Sequence, residues 1–228
     1  MAPLIALVGC DGSGKSTLAR DLLADLSRER PVALCYLGLG SGDLANRIRR
    51  LPLVGAALER RLAAKAGKTR TAGGRIPGLP TALVVYGFSL LRQRRFRRML
   101  ALRRAGVTVI TDRYPQTEVA GFYDGPGLSA ARAGSRAVAA LAARELRMYR
   151  RMAARHPDLV IRLNIGVATA YARKPDHGIE LLRRKVETTP ALRFDGAPIV
   201  DVDAEQPYEV VRAIVSRLVR GMLDRDGR

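Results

Sequence analysis

A chain of 228 residues, 47% of them hydrophobic, is long enough for one sizeable α/β domain with a buried core, and that composition excludes a disordered polypeptide. The formal net charge is +19, but it is uneven: residues 41–106 hold 16 basic side chains against two acidic ones, Asp43 and Glu59. The two cysteines show no metal-ligand spacing and suit a reducing cytoplasm, and no apolar run approaches the ~20 residues that span a bilayer.

Pro3 to Val8 is a short apolar run of strand type. Gly9-Cys-Asp-Gly-Ser-Gly-Lys-Ser-Thr17 follows and satisfies G-x-x-x-x-G-K-[ST] at every fixed position. The glycines Gly9, Gly12 and Gly14 let the backbone curl so that N–H groups, with Ser13 and Thr17 alongside, face an anion. Lys15 adds a cation for the β- and γ-phosphates, and the Ser16 hydroxyl suits a magnesium ion. Leu18, Leu22 and Leu26 then fall on one face of a helix running from Thr17 to Ser27. Strand, glycine turn and helix together point to a nucleotide-phosphate site. Leu7-Val8-Gly9-Cys10 superficially resembles a lipoprotein cleavage site, but cleavage there would destroy the loop, so export is not expected.

Residues 31–37 read as a second strand, ending at Gly38-Leu-Gly-Ser-Gly42. From Leu44 to about Lys68 the pattern is basic, amphipathic and helical, broken near Pro52 and Gly55, and a glycine- and proline-bearing loop runs on to Pro80. Thr81 to Arg104 is a long helix, apolar at first and then strongly basic, stopped by Gly106. Residues 107–112 form a strand ending in the Asp112 carboxylate, the form of a Walker B element that serves magnesium or its water shell. A helix from about Ala130 to Arg155, a strand over 158–164, and a helix starting at Val167 come next. A polar, basic stretch continues to Thr189, then a strand over 199–203 and a closing helix from Pro207 to Leu223. The alternation predicts one doubly wound parallel sheet of about five strands, without internal repeats. Neither His156 nor His177 is read as catalytic.

In this order the chain resembles the thymidylate kinase family of phosphate-loop kinases. The resemblance rests on Gly9 to Thr17 with Asp11 inside it, on Asp112-Arg113-Tyr114, on Phe88-Ser-Leu-Leu-Arg92, and on the strand at 157–163 followed by the Arg173-bearing segment. It implies a single three-layer α/β P-loop NTPase domain over 1–228, with helices on both sheet faces, a basic insert at 44–80 and a helical lid at 167–189. It further implies ATP as donor, magnesium at Ser16 and Asp112, and Lys15, Asp11, Arg113 and Arg173 in catalysis. Phe88, Arg92, Arg113 and Tyr114 would then meet the acceptor, a nucleoside monophosphate or nucleoside. Phe88 and Arg92 share a helix face at i and i+4, so a ring can stack on a base while the guanidinium meets a phosphate. The loop itself carries no arginine, so a cation must come from the lid, with Arg173 and Lys174 first and Arg183, Arg184 and Lys185 behind them.

The chain departs from the family after its second and third strands. Gly38 to Gly42 replaces the usual Arg-Glu-Pro motif, and Pro115-Gln-Thr-Glu replaces the residues near the base. The donor half is intact and the acceptor half rewritten. Two other readings stay open: a kinase of a sugar or lipid-linked acceptor at an anionic membrane, and a nucleotide switch or nucleic-acid-binding module using the basic 44–104 segment. A homodimer through helices beside the sheet is compatible with the resemblance.

Overall fold

The computed structural model describes residues 1–38, 78–130 and 132–226. The expected basic helix over 44–68, and most of the loop that follows it, lie outside the described residues. Two compact units are formed, one from Met1–Leu37, Arg95–Tyr114 and Arg155–Arg228, the other from Gly38–Arg94 and Pro115–Ala154.

The first unit holds a five-stranded sheet with strands β1 (Leu4–Gly9), β2 (Val32–Tyr36), β3 (Thr108–Asp112), β4 (Leu159–Asn164) and β5 (Ile199–Asp203). Their order is β2-β3-β1-β4-β5, and all pairings are parallel. β1, β3 and β4 are buried along almost their whole length, as expected of strands covered on both faces. Successive residues face opposite sides, so Ile5, Leu7, Ile110, Ile161 and Leu163 share one core cluster. The same cluster takes Leu18, Leu22 and Leu26 of helix α1 (Lys15–Leu26), and Val211, Val215 and Val219 of the last helix (Tyr208–Asp226).

The order of strands creates the site. β1 lies between β3 and β4, so the chain leaving β1 turns one way and the chain leaving β3 crosses to the other. The carboxyl end of β1 is therefore a topological switch point, where open α/β sheets leave a crevice for ligands. In register, Asp112 stands beside Leu7 on β1, and Leu163 beside Gly9.

Helix α2 (Leu79–Arg104) begins two residues before the expected Thr81, because Pro80 fits the first turn of a helix, where a missing N–H is harmless. It ends in a Schellman motif: Gly106 N–H donates to Arg103 O at 3.2 Å and Val107 N–H to Leu102 O at 3.0 Å, with Gly106 at φ 81. Helix α3 (Arg136–Ala153) starts about six residues later than its periodicity suggests. Ser135, extended at φ −156, caps it by accepting from the Val138 N–H. Helix α4 (Val167–Arg173) falls where expected. The basic stretch after it contains a further helix, α5 (Ile179–Thr188), whose Leu182 is fully buried in the core of the first unit. The last helix, α6, runs over Tyr208–Asp226. In the second unit Ala82, Leu128 and Val138 form a small core with Val85, Tyr86 and Leu141 against it.

Candidate functional site

The turn from β1 to α1 is built by two different uses of glycine. A Cβ on Gly9 would lie 2.6 Å from both the Leu163 carbonyl oxygen and Ser13 Oγ, so the loop crosses β4 too closely for any side chain. Gly14 caps α1 at φ 90 and ψ 3, and a Cβ there would meet nothing within 4 Å. The need at Gly14 is conformational: a left-handed residue turns the chain into the helix. Ser13 N–H donates to Cys10 O at 3.2 Å, closing the curl. Ser13 is buried, whereas Ser16 and Thr17 are exposed at the start of α1.

Lys15 folds back over the loop. Its Nζ donates to Cys10 O at 2.8 Å and lies 3.5 Å from Ser13 Oγ. Burial lowers the pKa of this ammonium from its usual value, and the charges of Asp112 and Asp11 oppose that shift. The ammonium is thus held among carboxylates, in a place where a phosphate would join them. Burial raises the Cys10 thiol, so this cysteine is a packed neutral side chain within the loop.

Asp11 is the hub of the cluster. Lys185 of α5 donates a hydrogen bond to its Oδ2, Arg113 Nη2 lies 3.7 Å from Oδ1, and His177 Nε2 lies 3.8 Å from Oδ2. Burial alone would raise the Asp11 pKa, but Lys185, Lys15 and Arg113 outweigh it and hold the carboxyl below its ordinary value. Arg113 occupies a left-handed backbone position, φ 61, directly after the Asp112 carboxylate. Arg173, at the end of α4, reaches the loop: its Nη1 donates to Gly12 O at 3.2 Å and to Ala204 O at 3.1 Å.

Lys15, Asp11, Asp112, Arg113 and Arg173 are therefore brought together in the first unit. Tyr114 belongs to that unit too, but it is buried away from solvent. Its ring meets Phe96 edge-on at 5.8 Å, and its hydroxyl donates to Arg155 O, so the structure gives it a packing role. Phe88 and Arg92 sit on α2 in the second unit. Phe88 is half-buried, and Arg92 is 1% exposed and paired with Asp124. Of the expected lid cations, Arg173 and Lys185 touch the loop. His177, not read as catalytic from sequence, stands beside Asp11, a contact across 166 positions that no local pattern signals.

Ser16 and Asp112 present the hard oxygen donors that magnesium prefers, Ser16 in the first turn of α1 beside Lys15 and Asp112 at the end of β3. No group of three or more His, Cys, Asp or Glu side chains able to hold a metal occurs among the described residues. Such a group is not needed where phosphate oxygens and water complete the shell.

The fold and this site define the class: an α/β fold with a parallel five-stranded sheet and a phosphate-binding loop. The solved structure of deoxyadenosine kinase from M. mycoides with bound dATP superimposes with a TM-score of 0.54 over 96% of this chain and 99% of that one, at 15% identity, which speaks to the fold alone. No family model matches the chain. Among curated proteins, "Uncharacterized ATP-binding protein YghR" of Escherichia coli K12 is 46% identical over 209 residues, 91% of this chain and 83% of that protein. "Uncharacterized ATP-binding protein YghS" of the same strain is 42% identical over 221 residues, 96% and 93% of the two chains. The chain belongs to the YghR/YghS family.

Proposed function

We propose that this protein is an ATP- and magnesium-dependent phosphotransferase that moves a γ-phosphate to a nucleoside or nucleoside monophosphate. The observation that carries the reading is the convergence of Arg173 and Lys185 on a phosphate loop that has no arginine of its own. A loop that only retained a nucleotide would not need cations delivered from two further helices. Phosphoryl transfer does need them, because its transition state spreads charge over the γ-oxygens and is stabilised by positioning and neutralisation.

In this reading Lys15 and the loop amides hold the donor phosphates. Arg173 leaves the Gly12 carbonyl to meet the transferring group. Ser16 and Asp112 would hold magnesium, which when bound neutralises the β- and γ-oxygens. Asp11, kept ionised by its three cations, orients Arg113 and Lys185 instead of serving as a base. A loose transition state asks little of a base. The family relatives named for ATP binding and the deoxyadenosine kinase neighbour both favour this class. Thymidylate as the acceptor has no such support, since Pro115-Gln-Thr-Glu and Gly38 to Gly42 stand where the thymidylate kinase motifs would be. The free state of both cysteines fits a cytoplasmic setting. No helix among the described residues is long and apolar enough to cross a membrane.

The test is an acceptor screen. Purified protein, ATP and magnesium are offered nucleosides, nucleoside monophosphates and sugar phosphates, with Lys15→Ala as control. Acceptor-dependent ADP formation above that control supports the reading; none with any acceptor overturns it.

A further inference from the structure

Arg92 is the guanidinium that a thymidylate kinase-like enzyme would turn toward the phosphate of its acceptor. Here both ends of its fork are taken by one residue. Nη1 donates to the Asp124 carbonyl oxygen at 2.6 Å, and Nη2 to Asp124 Oδ1 at 2.5 Å. The face of the guanidinium lies over the Tyr149 ring, 5.7 Å from its centroid, and the residue is 1% exposed. Asp124 adopts φ 65, a left-handed conformation that lets it present carbonyl and carboxylate together.

The loop carrying Asp124 is itself pinned. Gln116, 1% exposed, donates through Nε2 to the carbonyls of Val119, Phe122 and Tyr123 at 2.9–3.0 Å and accepts from the Val119 N–H at 2.8 Å. A second carboxylate, Glu145, is fully buried nearby. It accepts from Ser89 Oγ at 2.5 Å and Leu128 N–H at 2.7 Å; burial pushes its carboxyl pKa up, and these hydrogen bonds and the Arg92 charge oppose that shift. A phosphate dianion approaching Arg92 would have to displace Asp124 and then stand beside its carboxylate. Like charges set against one another in this way select against a partner.

We infer that the acceptor is an uncharged hydroxyl compound, a nucleoside or a neutral sugar, and that Asp124 excludes nucleoside monophosphates by occupying Arg92. This rests on the phosphotransferase reading above. The acceptor oxygen forms a bond to the γ-phosphorus, the bond from that phosphorus to the β–γ bridging oxygen breaks, ADP leaves, and the hydroxyl proton passes to water.

The experiment measures kcat/KM for full-length protein with ATP and magnesium in two arms: nucleosides and neutral sugars, and the 5′-monophosphates or phosphates of the same compounds. The expected preference for the neutral arm is about a hundredfold or more. Which neutral compound turns over separates nucleoside from sugar. Asp124→Asn keeps the size, the carbonyl and the tolerance of a left-handed backbone while removing the charge, and it should narrow the preference about tenfold or more. Monophosphates used better than their parent nucleosides by the wild type would overturn the inference while leaving phosphotransfer intact. That comparison needs no variant, so a misfolded Asp124→Asn does not spare the idea. An unmoved preference in a folded Asp124→Asn, judged by an unchanged melting curve, would overturn the role of Asp124. Turnover of no acceptor above Lys15→Ala would sink the phosphotransferase reading, and this inference with it.

Discussion

Replacing Gly9 by alanine tests whether the phosphate loop is held by its close crossing of β4. The added Cβ would sit 2.6 Å from the Leu163 carbonyl oxygen, against an ordinary contact of at least 3.4 Å, so loop and strand must separate by several tenths of an ångström. Ser13 Oγ, at the same 2.6 Å, can rotate away; the carbonyl belongs to a paired strand and cannot. Overpacking of this kind costs about 1–3 kcal/mol. The backbone at φ 155, unfavourable for alanine, adds to it. For a chain of this size each kcal/mol lowers Tm by roughly 2–4 °C, giving a fall of about 2–12 °C. Because the shift is in the loop itself, ATP affinity should fall as well. Gly14→Ala is the matched comparison: its Cβ enters open space, and only the left-handed conformation, about 1–2 kcal/mol, works against it. Thermal melts with and without ATP, run on both variants, read the two effects. A Gly9→Ala protein with wild-type Tm and undiminished ATP-induced stabilisation would refute the argument, as would a larger loss in Gly14→Ala.

Three further outcomes follow from the same cluster. Lys185→Ala removes the hydrogen bond that ties α5 to Asp11, where both side chains are mostly buried; a charge-assisted bond of about 1.5–3 kcal/mol corresponds to roughly 10–150-fold faster amide exchange through Ile179–Thr188, and unchanged protection there would contradict the tie. Arg173→Ala should lower kcat by about 10³ or more with ATP affinity little changed, as loss of an arginine finger does; an unchanged kcat would leave Arg173 a structural residue only. The depressed pKa of Asp11 makes stability pH-dependent with a definite sign: the unfolded chain takes up the proton first, near pH 4, so the contribution is full above that value and disappears as pH falls through the lower folded pKa. Urea denaturation should therefore show the gap between wild type and Asp11→Asn holding steady above about pH 5 and shrinking as pH falls below about 4, and a gap that stays constant would count against the Asp11 hub.

The parts of this site that can be read from sequence are those whose signal is local. Gly9 to Thr17 contains its own geometry, because the glycine spacing, the lysine and the following leucine periodicity all act within one turn. Asp112 is legible for the same reason, as the last residue of a short apolar strand. α5 is less visible: Ile179, Leu182 and Val186 are spaced for a helix, but the intervening arginines and lysine make the stretch look like solvated loop. The start of α3 was obscured because alanines precede Gly134-Ser135, and the serine cap outweighs their helix preference. The partners that set the electrostatics are hidden by distance. Asp11 meets Lys185 from 174 positions away, and Arg92 meets Asp124 through a left-handed loop residue that no periodicity announces. Tyr114 lies inside a recognisable motif, but its packing against Phe96, 18 positions earlier on α2, has no local signal.

The central claim is that the γ-phosphate is transferred to an acceptor, as opposed to being hydrolysed or merely bound. Phosphorus-31 NMR of wild-type protein with ATP, magnesium and a nucleoside pool follows all three fates in one sample. The account predicts ADP and a new phosphate-ester resonance growing in equal amounts, both absent with Lys15→Ala. ADP accompanied only by inorganic phosphate, or ATP left intact, would contradict it.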